Sequence, residues 1–169
     1  MIFIDNFKNL IFYNMLDPNK PYILTAEGYA KLAENIKKLE EELKSIGIKK
    51  GEAAGPSSDW HDNPAYEEFD NQERMFLQRQ ASLKERLLTA EIVDLPTSSK
   101  YVEIGSTVQI LLLKNSKEQN FTITDPEMTD PSRNRISYQS PLGSTLIGKK
   151  AGEIIDLPTG PIKILDIRI

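Results

Sequence analysis

The sequence predicts an α+β chain: an N-terminal antiparallel coiled coil of two long helices, followed by a small β-rich domain. Three observations predict it. Apolar residues recur at alternating steps of three and four from Tyr29 to Ile46 and again from Tyr66 to Ala90, the rhythm of helices packed lengthwise. A short stretch ending in Asn63-Pro64 separates the two runs. From about Thr107 onward the texture changes to short β-branched runs between turn residues. Three segments are expected: an apolar extension over 1–20, the hairpin over 21–96, and the small α+β domain over 101–169, with Thr97 to Lys100 as linker.

The 169 residues suit one domain or two small ones. Hydrophobic content of 39% and charged content of 27% are ordinary for a soluble globular protein. A net charge of −4 offers no general attraction to a nucleic-acid backbone. The absence of cysteine excludes disulfides and thiolate metal sites and fits a reducing cytosol. No run approaches the roughly 18 apolar residues of a membrane span, so no membrane partner is expected.

Ile2, Phe3, Ile4, Phe7, Leu10, Ile11 and Phe12 make the extension unusually apolar. It lacks the basic start and small-residue cleavage site of a signal peptide. The 7, 10, 11 spacing allows one short helix, which Asp17-Pro18-Asn19-Lys20-Pro21 breaks. The extension reads either as a docking segment or as an appendage; the appendage is the favoured expectation.

Thr25 is a good N-cap for the first helix, with Gly28 tolerated in its first turn. Tyr29, Leu32, Ile36, Leu39, Leu43 and Ile46 form the seam, and Lys and Glu fill the other faces. Beyond Ile46 the pattern weakens, because Gly47, Gly51 and Gly55 each cost about 1 kcal/mol relative to Ala in a helix. Pro56 should end it. Asn63 can cap the second helix, Pro64 suits its first position, and Glu67, Glu68 and Asp70 favour the positive end of its dipole. Tyr66, Phe69, Glu73, Phe76, Gln80, Leu83, Leu87 and Ala90 keep the rhythm, with polar interruptions at 73 and 80. Two helices of about 30 residues make a rod roughly 45 Å long. From Glu52 to Glu73 there are seven acidic residues and no Lys or Arg, so the rod ends in a bare acidic tip.

In the β-rich part, Thr107 to Leu113 reads as a strand, paired with Asn120 to Thr124 through the turn Asn115 to Gln119. Arg135 to Tyr138 is a third strand. Ser140-Pro141 caps a short helix over Leu142 to Ile147, closed by Gly148. Glu153 to Leu157 and Pro161 to Ile167 complete the sheet. Acidic and basic residues balance at eight each from Tyr101 onward, which gives no electrostatic hint of a nucleic-acid partner.

Taken in this order, the chain resembles the GreA/GreB-type bacterial transcription elongation factors from about Pro21 to its end. Three motifs carry the resemblance. Leu24-Thr25-Ala26-Glu27-Gly28-Tyr29-Ala30-Lys31-Leu32 is similar to the family's Leu-Thr-x-x-Gly-x-x-Lys-Leu. Ser58-Asp59-Trp60-His61-Asp62-Asn63-Pro64-Ala65-Tyr66 stands where the family usually has Gly-Asp-Leu-x-Glu-Asn-Ala-Glu-Tyr. Ser140 to Glu153 is close to the family's Ser-Pro-x-x-x-x-x-Leu-x-Gly-x-x-x-Gly-Asp and is the most specific of the three.

The resemblance implies that the C-terminal domain is FKBP-like and docks on RNA polymerase at the rim of its secondary channel. It implies that the coiled coil enters the channel and that tip carboxylates stimulate cleavage of the backtracked nascent RNA at its 3′ end. The chain would be a cytoplasmic accessory factor acting as a monomer, not an enzyme on its own. Asp59 and Asp62 stand at the family's Asp and Glu. They would be the catalytic carboxylates and the metal ligands, offered in trans to Mg²⁺ that the polymerase shares; the chain has no cofactor of its own. The residue types suit that chemistry, since two-metal phosphoryl chemistry needs a second Mg²⁺ and an activated water. Mg²⁺ takes only one or two protein carboxylates and keeps its other waters.

The tip departs from the family pattern. Asp62 is one methylene shorter than the usual Glu, Ser58 replaces a glycine, and Pro64-Ala65 replace Ala-Glu. Trp60 is expected to pack at the tip or to contact the polymerase. His61 is read as a surface histidine, with proton shuttling as the other reading. These departures leave open a Gre-like inhibitor that occupies the channel without supporting cleavage. A peptidyl-prolyl isomerase or chaperone, from the FKBP-like domain alone, is a third reading; against it, Phe121 and Tyr138 are the only aromatic residues from Asn120 onward.

Overall fold

The computed structural model describes residues 22–55, 63–98 and 100–169, so the extension over 1–20 lies outside the described residues. The elements run β1 (Tyr22–Leu24), α1 (Ala26–Ala54), α2 (Pro64–Leu88), β2 (Ala90–Ile92), β3 (Thr107–Leu112), β4 (Lys117–Thr124), β5 (Arg135–Ser137), α3 (Pro141–Leu146), β6 (Ile154–Leu157) and β7 (Gly160–Arg168). The class is α+β, as the sequence predicts. The chain divides after Tyr29 and before Glu91 into a helical unit, Ala30–Ala90, and a sheet unit made from both flanks. The expected divisions at 96 and 101 fall instead inside the sheet unit. The reason is that β1 pairs with β2 in a small sheet of its own, and the Val93 N–H donates to the Leu24 carbonyl at 2.9 Å.

In the helical unit, α1 buries Leu32, Ile36, Leu39 and Ile46. Leu43 is half-buried. On α2, Tyr66, Phe69, Glu73, Phe76, Gln80, Leu83 and Leu87 are half-buried, and none is fully buried. The 3/4 rhythm therefore marks the inner face of both arms. The arms are antiparallel, because their cross-arm pairs nest around the connection: Asn63 with Ala53, Lys50 with Asp70 and Glu73, and Glu40 with Gln80 and Lys84. The polar interruptions at 73 and 80 are answered by charged or polar groups from the other arm. The second helix ends at Leu88, two residues short of the expected Ala90, because Ala90 turns extended to pair with β1.

The sheet unit holds a five-stranded sheet in the order β5-β4-β3-β7-β6. Its pairs are antiparallel except β4 with β5, which runs parallel. Alternation puts Val108 and Ile110 of β3 inside, together with Ile162 and Ile164 of β7. The register between β3 and β7 shifts between Gln109 and Ile110, so Leu165 is the extra residue and Ile167, not Asp166, returns to the core. β4 starts at Lys117, three residues before the expected Asn120, because the turn is tighter and places Ser116 at φ 53°. α3 begins as expected: the Ser140 hydroxyl accepts from the Gly143 N–H at 3.0 Å, with Pro141 behind it.

Asp125 joins the start of α1 to this sheet unit. It follows β4, is fully buried, and caps a 3-10 turn over Pro126–Met128. One carboxylate oxygen accepts from the N–H groups of Glu127 and Met128, each at 3.0 Å. The other accepts from Thr25, through its N–H at 3.1 Å and its hydroxyl. Thr25 in turn caps α1, its hydroxyl accepting from the Gly28 N–H at 3.0 Å. A Cβ at Gly28 would collide with the Asp125 carboxylate. Glycine is thus required there, where the sequence alone reads it as tolerated. Tyr138, also fully buried, accepts at its hydroxyl from the Ile23 N–H at 3.3 Å and from the Gln139 amide at 3.1 Å.

Candidate functional site

The expected site residues Asp59 and Asp62 lie outside the described residues, as do Trp60 and His61. What the structure describes is the footing of the segment that carries them. On one side α1 ends at Ala54, and Gly55 follows at φ 62°, the left-handed conformation in which glycine commonly terminates a helix. On the other side Asn63 caps α2 with its side-chain oxygen, which accepts from the N–H groups of Ala65 at 3.1 Å and Tyr66 at 3.3 Å. Pro64 takes the first helical position, where its missing N–H costs nothing. The Asn63 side-chain amide also donates to the Ala53 carbonyl at 2.7 Å. One residue thus caps one arm and holds the end of the other.

One turn below, Lys50 continues the seam of α1, four residues after Ile46 and three before Ala53. Its ammonium lies 2.6 Å from both the Asp70 and the Glu73 carboxylates and 5.4 Å from the centre of the Tyr66 ring. Arg74 reaches the other oxygen of Asp70 at 2.6 Å. The hydrogen bonds that Lys50 donates to Asp70 and Glu73 hold its ammonium well above its usual pKa, and the bond Asp70 accepts from Lys50 holds Asp70 below the usual carboxylate range. Sequence reasoning misses this cluster. Its signal is present, however: the 4/3 steps continue through Lys50 and Ala53, and a lysine on a seam needs acids opposite.

Among the described residues no three His, Asp or Glu side chains converge to hold a metal. No described helix is long and apolar enough to cross a membrane. A cavity of about 600 Å³ opens in the sheet unit beside Asp125, between Leu95, Ile104 and Met128, and no aromatic residue among the described residues lines it. That lining does not suit a prolyl-isomerase pocket.

Comparison with known proteins agrees with the family resemblance. Residues 97–169 match the family model of the C-terminal part of the GreA/GreB transcription elongation factors. Transcription elongation factor GreA of Thermoanaerobacter pseudethanolicus is 34% identical over 155 residues, covering 89% of this chain and 99% of that protein. GreA of Caldanaerobacter subterraneus subsp. tengcongensis is 36% identical with the same coverage. Among solved structures, the GreA factor homolog 1 of Thermus thermophilus is 23% identical over 88% of this chain and 99% of that chain, with a TM-score of 0.42, too distant a likeness to argue from. Relatives more than 30% identical along almost their whole length leave one conclusion: the chain belongs to the GreA/GreB family of transcription elongation factors.

Proposed function

We propose that the chain binds RNA polymerase, places its hairpin tip in the secondary channel and stimulates cleavage of backtracked nascent RNA, so that stalled complexes resume. The observation that supports this most is the family relation along 89% of the chain, covering hairpin and sheet unit alike. The hairpin fits the role. Its arms are tied to each other where the described helices end, at Asn63 with Ala53 and Lys50 with Asp70. In this reading the sheet unit docks at the channel rim in the cytoplasm, and the chain catalyses nothing alone.

Asp59 and Asp62 are the residues proposed to act. A Mg²⁺ held partly by the polymerase would activate a water for attack on the RNA phosphodiester. The chain's share is one or two carboxylate oxygens and the reach to deliver them, which suits the few protein ligands Mg²⁺ accepts. The shorter side chain of Asp62 places its carboxylate one methylene nearer its own backbone than a Glu would.

The test is a transcript-cleavage assay on purified bacterial RNA polymerase stalled in a backtracked complex, with and without this protein. Shortened RNA that appears only with the protein, and can be re-extended, is the expected result. Tight binding without cleavage would make the chain a channel-occupying inhibitor, and absence of binding would remove the polymerase from the reading.

A further inference from the structure

We propose that Lys50 is a positioning residue, which fixes the axial register of the two arms beneath the acidic tip. Its consequence at the polymerase rests on the function proposed above; the clamp itself rests on the hairpin alone.

Fully buried apolar packing stops short of the distal arms, where Tyr66 and Phe69 are only half-buried. Ile46 is the last buried residue of α1, and α2 has none. Gly47 and Gly51, both exposed, loosen the helix they sit in. Between Ile46 and Gly55, the arms are joined by Lys50 to Asp70, Lys50 to Glu73, and Asn63 to Ala53.

The geometry of the Lys50 contacts is that of a register pin. One ammonium grips two carboxylates three residues apart, so they lie on the same face of α2. Sliding one arm by one residue moves it 1.5 Å along the axis. That is enough to break at least one of two bonds of 2.6 Å. Arg74, one turn along the same arm, holds the other oxygen of Asp70 and so orients the carboxylate toward Lys50. Isolated surface ion pairs contribute little. Here the side chains of Lys50, Asp70 and Glu73 are only 20–30% exposed and form a network, the setting in which seam ions specify register. The ends this pin aligns, Gly55 and Asn63, are the neighbours in sequence of the segment that carries Asp59 and Asp62. A misplacement of about 1 Å at a reacting centre costs on the order of a hundredfold in rate.

The experiment uses the full chain, which has no cysteine to interfere. Glu52→Cys and Glu67→Cys, both at exposed positions, carry a pair of spin labels, and pulsed electron resonance reads the distance between the arms. The parent should give one narrow distribution. Lys50→Met, which keeps the stem and loses the charge, should broaden or shift it, and Lys50→Arg should restore it. In the transcript-cleavage assay Lys50→Met should lower the rate at saturating factor roughly tenfold, with half-saturation unchanged within about twofold. An unchanged distribution in Lys50→Met overturns the clamp whatever happens to cleavage. A broadened distribution with undiminished cleavage overturns the positioning role. If the parent supports no cleavage, the proposed function fails, and the distance distributions alone decide the clamp.

Discussion

The carboxylate of Asp125 accepts two hydrogen bonds from Thr25, a residue 100 positions earlier, one from its N–H and one from its hydroxyl. With the N–H groups of Glu127 and Met128, this buried group gathers four donors. Asp125→Ala should leave them unpaired and lower unfolding stability by about 3 kcal/mol. Asp125→Asn, nearly equal in size, should still destabilise, because an amide NH₂ meets donors where an oxygen accepted them. Urea titration followed by circular dichroism checks both. A neutral Asn variant would mean that the charge and the second oxygen are dispensable.

Gly28→Ala sets two effects against each other. Alanine is the better helix former by about 1 kcal/mol. Its Cβ, however, meets the Asp125 carboxylate, which is held in place by its other donors. The clash should win, and the variant should melt below the parent. A higher melting temperature would show that the carboxylate moves aside easily.

Leu39 is 4% exposed on the seam of the hairpin. Leu39→Asp should destabilise the protein by a few kcal/mol, since it puts an unpaired charge among apolar side chains. Unchanged far-UV helicity and melting temperature would refute the seam.

The ion cluster carries a pH signature. Lys50 holds Asp70 below the usual carboxylate range, so the folded state binds the Asp70 proton less tightly than the unfolded chain does. The stability this contributes is present above the unfolded carboxylate value, about 3.9, and is lost as pH falls through the lower folded value. The melting-temperature gap between the parent and Asp70→Asn should therefore be steady near neutrality and close as pH falls below the unfolded carboxylate value. A gap that persists through that range would mean Asp70 acts through something other than its charge.

Asp59→Asn should depress stimulated cleavage strongly and leave polymerase affinity within a few-fold, because it removes a charge that a Mg²⁺ would need. Asp62→Asn should be milder, and Asp62→Glu should raise activity if the missing methylene matters. A Mg²⁺ titration at saturating factor checks this, since a lost ligand raises the metal requirement. Unchanged cleavage in the double Asn variant would refute the role of both.

Much of the fold is legible in the sequence alone. Thr25, Asn63 and Ser140 announce their helices because capping is a local matter between one side chain and the next three N–H groups. The seam is legible because burial on a helix face leaves a period. β1 and β2 are not: a strand of three residues has no period to show, and Ala90 reads as the last step of a helical rhythm. Asp125 looks like an ordinary loop acid, since its partner Thr25 is distant in sequence. Lys50 escapes notice because charge at a seam position reads as the end of a pattern, and the acids that answer it lie on the other arm. The positions of Asp59 and Asp62 rest on the motif alone.

The sheet unit is assembled from two pieces of chain that synthesis separates, Tyr22 to Tyr29 and Glu91 onward. On the ribosome, β1 and Thr25 emerge first and cannot find Asp125 until about a hundred further residues are made. An antiparallel hairpin answers that delay by folding on local contacts, which form fast. Once zipped, it brings its own two ends together. Closing a loop costs entropy that grows with the logarithm of its length, and a folded hairpin removes most of that length in advance. The rod is therefore expected to be an early folder, and the sheet unit a late one that waits for its last strand.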